Sequence, residues 1–125
     1  DQGGKERAKE FAKEFNSDYI ALEKTRDRKT GKVKIKTKNL KVVENRDLIL
    51  VDDMISTGGS IIKATQFLKK QKCKKVYVAC THGLLMNDAE KKIKKAGVTS
   101  VISTNTIPGK TSKVDISKTI AKAIM

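Results

Sequence analysis

Apolar residues recur with helical spacing in four segments of the chain, and short apolar runs separate these segments. The spacing predicts an amphipathic helix over about residues 3–15 and three more helices later in the chain. Lysines occupy the other side of the second and third segments, so those helices should present one face to a core and one to water. The apolar stripes are Ala8, Phe11, Ala12 and Phe15; Ile61, Ala64, Thr65 and Leu68; Ala89, Ile93 and Ala96; and Ile116, Ile120 and Ile124, with Asp115 as the predicted N-cap.

The apolar runs between these segments predict β-strands. Residues 48–51 form an uninterrupted apolar run, which is typical of a central parallel strand buried on both faces. Residues 19–22 predict a short strand, and the alternation of apolar residues with lysines over 33–37 predicts an exposed strand or hairpin arm. Further buried strands are predicted over 76–79 and 98–103.

Because strands alternate with helices, the sequence predicts an α/β fold with three layers, a mostly parallel sheet and helices on both faces. A chain of 125 residues has room for one such domain. In folds of this class, ligands bind at the carboxyl ends of the strands, where the strand order reverses. A candidate site is therefore expected at that edge of the sheet.

The chain is strongly basic, since 28 Lys and Arg residues against 14 Asp and Glu residues give a net charge of +14. A solvated lysine surface, attraction of small polyanionic substrates and nucleic-acid binding each explain such an excess. The aromatic content of 4% leaves few side chains to stack on single strands, so no nucleic-acid partner is expected.

Two further features bear on the compartment. No apolar stretch reaches the roughly 18–20 residues of a membrane span, so no membrane partner is expected. Cys73 and Cys80 are the chain's cysteines and His82 its one histidine, which supports neither a disulfide framework nor a zinc site. The sequence therefore predicts a cytoplasmic protein with reduced thiols.

Residues 56–60 form the most informative turn, because they follow the apolar run at 48–51 and precede a predicted helix. Gly58 and Gly59 lack a Cβ, so the backbone can turn sharply and approach an anion closely. The N–H groups at the start of the helix would point at that anion, and the helix dipole favours it. Replacing Gly58 by Val is expected to abolish anion binding and to leave the fold largely intact. Additional donors come from the hydroxyls of Ser56, Thr57 and Ser60.

Asp52 and Asp53 lie between the apolar run and this turn. Their carboxylates can accept hydrogen bonds from the hydroxyls of a sugar or hold a magnesium ion. A phosphate site next to a diol site describes a ribose phosphate. The plainer alternative is a capped strand–turn–helix whose aspartates are only solvated.

Residues 52–60 resemble the ribose-5-phosphate loop of the phosphoribosyltransferase fold. Their Asp-Asp-x-x-Ser-Thr-Gly-Gly form is similar to that of ribose-phosphate diphosphokinases (PRPP synthetases), especially the archaeal type. The resemblance extends over almost the whole chain. It is carried by Asp1-Gln2-Gly3-Gly4, by Lys24-Thr25-Arg26, by Thr81-His82-Gly83 and by Thr104-Asn105-Thr106-Ile107-Pro108.

This resemblance implies transfer of the diphosphoryl group of magnesium–ATP to the C1 hydroxyl of ribose 5-phosphate, which gives PRPP and AMP. It makes Lys24 and Arg26 the catalytic pair on the transferring phosphates, and Asp1 the ligand of Mg²⁺. The residues implied to bind ribose 5-phosphate are Arg26, Asp52, Asp53, Ser56, Thr57, Gly58, Gly59 and Ser60.

Members of this family are longer than the present chain and consist of two similar α/β halves. The resemblance therefore implies that residues 1–125 are the C-terminal half, that ATP contacts come mostly from an N-terminal half, and that the chain alone is inactive. It also implies a homo-oligomer. Two other functions remain open: a salvage phosphoribosyltransferase with the same loop, and a non-catalytic regulatory subunit that senses PRPP.

Two motifs look functional but are weaker. Gly109-Lys110-Thr111 resembles the end of a P-loop, but Thr104 stands where that motif needs its first glycine. The segment also follows a proline and does not open a helix, so no P-loop is predicted. His82 is interpreted as a structural residue or as a neighbour of the nucleotide site.

Overall fold

The computed structural model of the chain describes residues 2–37 and 42–125. Four helices and six strands lie in these two ranges. None of the described helices is both long and apolar enough to cross a membrane. The elements are α1 (Gln2–Phe15), β1 (Glu23–Arg26), β2 (Val33–Lys36), β3 (Leu48–Ile55), α2 (Gly59–Lys70), β4 (Val76–Gly83), α3 (Ala89–Lys95), β5 (Val98–Thr104), β6 (Ser112–Val114) and α4 (Ser117–Ile124).

The main sheet has four parallel strands in the order β3-β4-β5-β6. The strands β1 and β2 form a separate antiparallel hairpin, which confirms the hairpin arm predicted over 33–37. Helices connect the first three strands of the sheet, as parallel pairing requires. The predicted α/β class with a parallel sheet and helices is therefore confirmed.

The core lies between this sheet and the helices α2 and α3. Alternate residues of β4, namely Val76, Val78 and Cys80, are buried, because successive side chains of a strand point to opposite faces. They pack with Ile61 of α2 and Ile93 of α3. The buried set therefore matches the helix stripes that the sequence predicts for these two helices.

The strand β3 differs from its prediction in both length and position. It extends to Ile55 and not only to residue 51, because its parallel register with β4 continues through Met54, opposite His82. It also lies at an edge of the sheet among the described residues, and Ile49 is 44% exposed. The prediction of a central strand buried on both faces is wrong, since a run of apolar residues does not specify the strand's neighbours.

The strand predicted over 19–22 is absent from the structure. The backbone is irregular from 17 to 22, and β1 begins at Glu23. The reason is the hairpin ladder, whose pairs run from Glu23 opposite Lys36 to Arg26 opposite Val33 and give residues 19–22 no partner.

The last helix also departs from the sequence expectation. Its N-cap is Ile116, not Asp115, although the Asp115 carboxylate still accepts a hydrogen bond of 2.8 Å from the N–H of Ser117. The apolar stripe is not covered by the described residues, since Ile120 is 49% and Ile124 is 79% exposed.

Candidate functional site

The turn over residues 56–60 delivers the chain from β3 into α2. Gly58 is the N-cap of α2 and has φ 83° and ψ 5°, a left-handed conformation that other residues rarely adopt. Its carbonyl accepts the hydrogen bond from the N–H of Ile62 at 2.9 Å, which starts the helix. The first N–H groups of a helix have no partner within the helix, so this turn has the geometry of an anion site.

Gly58 is also buried against α3. A Cβ at this position would lie 2.9 Å from Cδ1 of Ile93 and 3.5 Å from Cβ of Ala89. By contrast, a Cβ on Gly59 would meet no atom within 4 Å. The expectation that a side chain at Gly58 leaves the fold largely intact therefore does not hold, because Gly58 is part of the contact between the loop and α3.

A cleft of about 490 Å³ opens in front of this turn. Its walls include residues 56–60, Asp52 of β3 and Arg26 of β1. Arg26 is distant in sequence from the loop, and the hairpin β1–β2 brings it to the same space. The cleft therefore unites one residue of the predicted catalytic pair with most of the predicted ribose-phosphate residues.

Two predicted residues are placed only in part. Lys24 lies in β1, and its backbone is opposite Ile35 of β2, but its side chain lies outside the described residues. Asp1, the predicted ligand of magnesium, also lies outside them. Their roles remain predictions.

The two adjacent carboxylates differ in environment. The Asp52 side chain is 38% exposed and that of Asp53 is 66% exposed. Burial raises the pKa of Asp52, and its hydrogen bonding with Asp53 adds to the rise. The hydrogen bond to Asp52 lowers the pKa of Asp53. Asp52 is therefore the carboxyl that takes up a proton first as the pH falls, and Asp53 stays ionised to lower pH.

Sequence reasoning did not assign two cations that the structure places beside these residues. Arg7 of α1 contacts both aspartates, and Lys63 of α2 lines the cleft. The sequence contained a signal for each. Arg7 is four residues before Phe11, so it flanks the apolar stripe, and Lys63 is four residues after Gly59, one helical turn beyond the loop.

The carboxyl ends of β4 and β5 meet beside the cleft's strand. Nδ1 of His82 is hydrogen-bonded to Oγ1 of Thr106 at 2.8 Å. Oγ1 of Thr104 donates to the carbonyl of Thr81 at 2.7 Å. These contacts fasten the end of β5 to the end of β4 and favour the structural interpretation of His82.

The segment that resembles the end of a P-loop has a different local structure. Gly109 donates its N–H to Oγ of Ser112 at 3.0 Å, and the chain continues into β6 and not into a helix. Thr111 is buried, and its Oγ1 is 2.8 Å from Oγ of Ser103. The prediction that this segment is not a P-loop is confirmed.

No group of three or more His, Cys, Asp or Glu side chains within residues 2–37 and 42–125 is arranged to hold a metal ion. Magnesium commonly needs only one or two protein carboxylates, because substrate phosphates and water complete its coordination. The acidic and cationic groups around the cleft are compatible with a magnesium ion that a polyphosphate brings with it.

Comparison with known proteins gives one family and consistent relatives. Residues 7–125 match the family described as the phosphoribosyl synthetase-associated domain. The chain is 42% identical over 127 residues to the ribose-phosphate pyrophosphokinase of Sulfurisphaera tokodaii, and 40% identical over 127 residues to that of Sulfolobus acidocaldarius. Each match covers 99% of this chain but only 44% of the relative.

Among solved structures, the crystal structure of phosphoribosylpyrophosphate synthetase from Mycobacterium smegmatis resembles this fold with a TM-score of 0.76 and 28% identity. The superposition covers 95% of this chain and 40% of that protein. The chain therefore spans less than half the length of the proteins that it matches.

Proposed function

Because this chain belongs to the phosphoribosyl synthetase-associated domain family, we propose that it is the ribose-phosphate-binding half of a ribose-phosphate diphosphokinase. The observation that carries the proposal is the single cleft lined by residues 56–60, Asp52 and Arg26. In this proposal the loop holds the 5-phosphate of ribose 5-phosphate, and Asp52 and Asp53 accept hydrogen bonds from the sugar hydroxyls.

The proposed reaction is an in-line diphosphoryl transfer. The C1 oxygen of ribose 5-phosphate attacks the β-phosphorus of ATP, the bond from that phosphorus to the α-phosphate oxygen breaks, AMP leaves, and the C1 hydroxyl proton is released. Arg26 and Lys24 supply positive charge where the phosphate oxygens gain negative charge. Arg26 presents two N–H groups to a phosphate, and Lys24 presents a compact ammonium. Magnesium, when bound, neutralises phosphate charge, and Asp1 is the proposed protein ligand.

We expect the isolated chain to form no AMP from ATP and ribose 5-phosphate. The physical reason is that the proposal assigns most ATP contacts to an N-terminal half, and this chain spans 44% of its archaeal relatives. Nucleotide chromatography after prolonged incubation of purified residues 1–125 with both substrates and Mg²⁺ tests this. AMP above the level of a protein-free control would show that the N-terminal half is dispensable.

Isothermal titration with ribose 5-phosphate, PRPP and a purine base separates the proposed function from its two alternatives. A diphosphokinase should bind ribose 5-phosphate and PRPP, but no purine base. A salvage phosphoribosyltransferase would bind the base once PRPP is present. A PRPP-sensing regulatory subunit would bind PRPP much more tightly than ribose 5-phosphate and would give no turnover when joined to an N-terminal half.

The remaining parts of the proposal concern assembly and compartment. We propose a cytoplasmic homo-oligomer that works with its own N-terminal half and uses ATP and ribose 5-phosphate. The free thiols of Cys73 and Cys80 support a reducing compartment.

A further inference from the structure

Arg7 connects α1 to both aspartates of the site. Its Nη1 is 3.7 Å from Oδ1 of Asp52, and its Nη2 is 3.8 Å from Oδ2 of Asp53. The Arg7 side chain is only 28% exposed. No other cation in residues 2–37 and 42–125 forms an ion pair with either aspartate.

The position of Arg7 follows from the geometry of a strand. Asp52 and Asp53 are consecutive in β3, so their side chains start toward opposite faces of the sheet. One guanidinium can reach both carboxylates only if it lies across the edge of the strand. In the described residues, β4 pairs with one side of β3 and no strand pairs with the other, so this edge is open to Arg7.

The N–H of Asp53 is also engaged at this strand. It donates to Oδ1 of Asp52 at 2.8 Å, which turns the Asp52 carboxylate back along the backbone. The same oxygen faces Nη1 of Arg7. The backbone and Arg7 together therefore set the orientation of Asp52, which lines the cleft.

The distances indicate how Arg7 acts. Direct charge-assisted hydrogen bonds have lengths of about 2.7–2.9 Å, whereas both contacts of Arg7 are longer. Arg7 therefore offsets the repulsion between two neighbouring carboxylates without consuming all of their acceptor positions. Those positions stay available for hydroxyl groups of a ligand.

We propose that Arg7 is a positioning residue that holds Asp52 and Asp53 as a charged pair of acceptors for the hydroxyls of a sugar phosphate. This inference rests on the proposed function, because it assumes that the ligand is ribose 5-phosphate. It assigns Arg7 no contact with the phosphate, whose donors come from the loop. Arg7 should therefore affect recognition of the sugar and leave recognition of a bare phosphate unchanged.

The test compares four proteins in the full-length polypeptide: wild type, Arg7→Met, Arg7→Lys and Lys9→Met. Met keeps the length of the side chain without charge, and Lys restores the charge without the fork that spans two carboxylates. Lys9 is an exposed residue of the same helix and serves as the matched control. Isothermal titration measures the Kd for ribose 5-phosphate and for inorganic phosphate, and thermal unfolding checks each fold.

Arg7→Met should weaken ribose 5-phosphate binding about tenfold and leave the Kd for phosphate within about twofold. Arg7→Lys should recover part of the loss, and Lys9→Met should match the wild type. Equal Kd values for ribose 5-phosphate in wild type and Arg7→Met would overturn the positioning role. A parallel loss of both ligands would overturn it as well, because Arg7 would then bind phosphate or support the loop. A wild type that binds neither ligand would instead overturn the proposed function itself.

Discussion

Replacement of Arg26 by Ala in the full-length polypeptide is expected to lower kcat for PRPP formation by about 10²–10³-fold. Arg26 lines the cleft opposite the phosphate loop, and no ion pair within the described residues engages it. Its contact with the transferring phosphates should strengthen as negative charge develops, and one such donor contributes on the order of 3–4 kcal/mol. Steady-state kinetics with both substrates varied measures this effect.

Arg28 offers the matched control for Arg26. It is exposed in the turn of the same hairpin and does not line the cleft, so Arg28→Ala should keep kcat within about twofold of wild type. Lys24→Ala should resemble Arg26→Ala, because the family resemblance assigns both residues to the transferring phosphates. A loss that appeared only as weaker ribose 5-phosphate binding, with kcat unchanged, would restrict Arg26 to holding the sugar phosphate.

The sequence predicted the candidate site better than it predicted the strands around it. Gly58 and Gly59 follow an apolar run and two aspartates, and each of these features depends on neighbours in the sequence. Left-handed backbone at Gly58 and the start of α2 at Gly59 are local consequences of that order. Local patterns therefore sufficed for the loop.

The errors concern features that depend on distant partners. The run over 48–51 indicates a buried strand, but its place at the edge of the sheet depends on which strands pair with it. Residues 19–22 have strand-like composition but lack a ladder partner in the structure. Arg7 is 45 residues from Asp52 and belongs to another element, so its contact could not be read from spacing alone.

The distribution of basic residues also became interpretable only in three dimensions. Most lysines of α3 face water, as expected for a solvated surface, whereas Lys63 and Arg26 converge on one cleft from α2 and β1. The net charge of +14 was compatible with both arrangements. A cleft with two such cations favours small anionic ligands, because nearby low-dielectric walls concentrate the field.

Gly58→Ala is expected to lower the free energy of unfolding by about 2–4 kcal/mol, whereas Gly59→Ala should leave it unchanged or raise it by up to about 1 kcal/mol. At Gly58 the left-handed conformation costs an L-residue roughly 1–2 kcal/mol, and overpacking against Ile93 adds about 1–3 kcal/mol. At Gly59 a Cβ meets open space within a helix, where Ala is favoured over Gly by about 0.5–1 kcal/mol. Urea or thermal unfolding of the chain measures both values.

The double variant Gly58→Ala/Ile93→Val separates the two costs at Gly58. Val lacks the Cδ1 atom of Ile93, which is the atom 2.9 Å from the added Cβ. Ile93→Val alone should cost about 0.5–1.5 kcal/mol, but on the Gly58→Ala background it should cost less or become stabilising. The stability that stays lost in the double variant then measures the strain of the left-handed backbone. Strictly additive effects would show that the loop does not pack on Ile93, and a neutral Gly58→Ala would show that the turn does not need its left-handed residue.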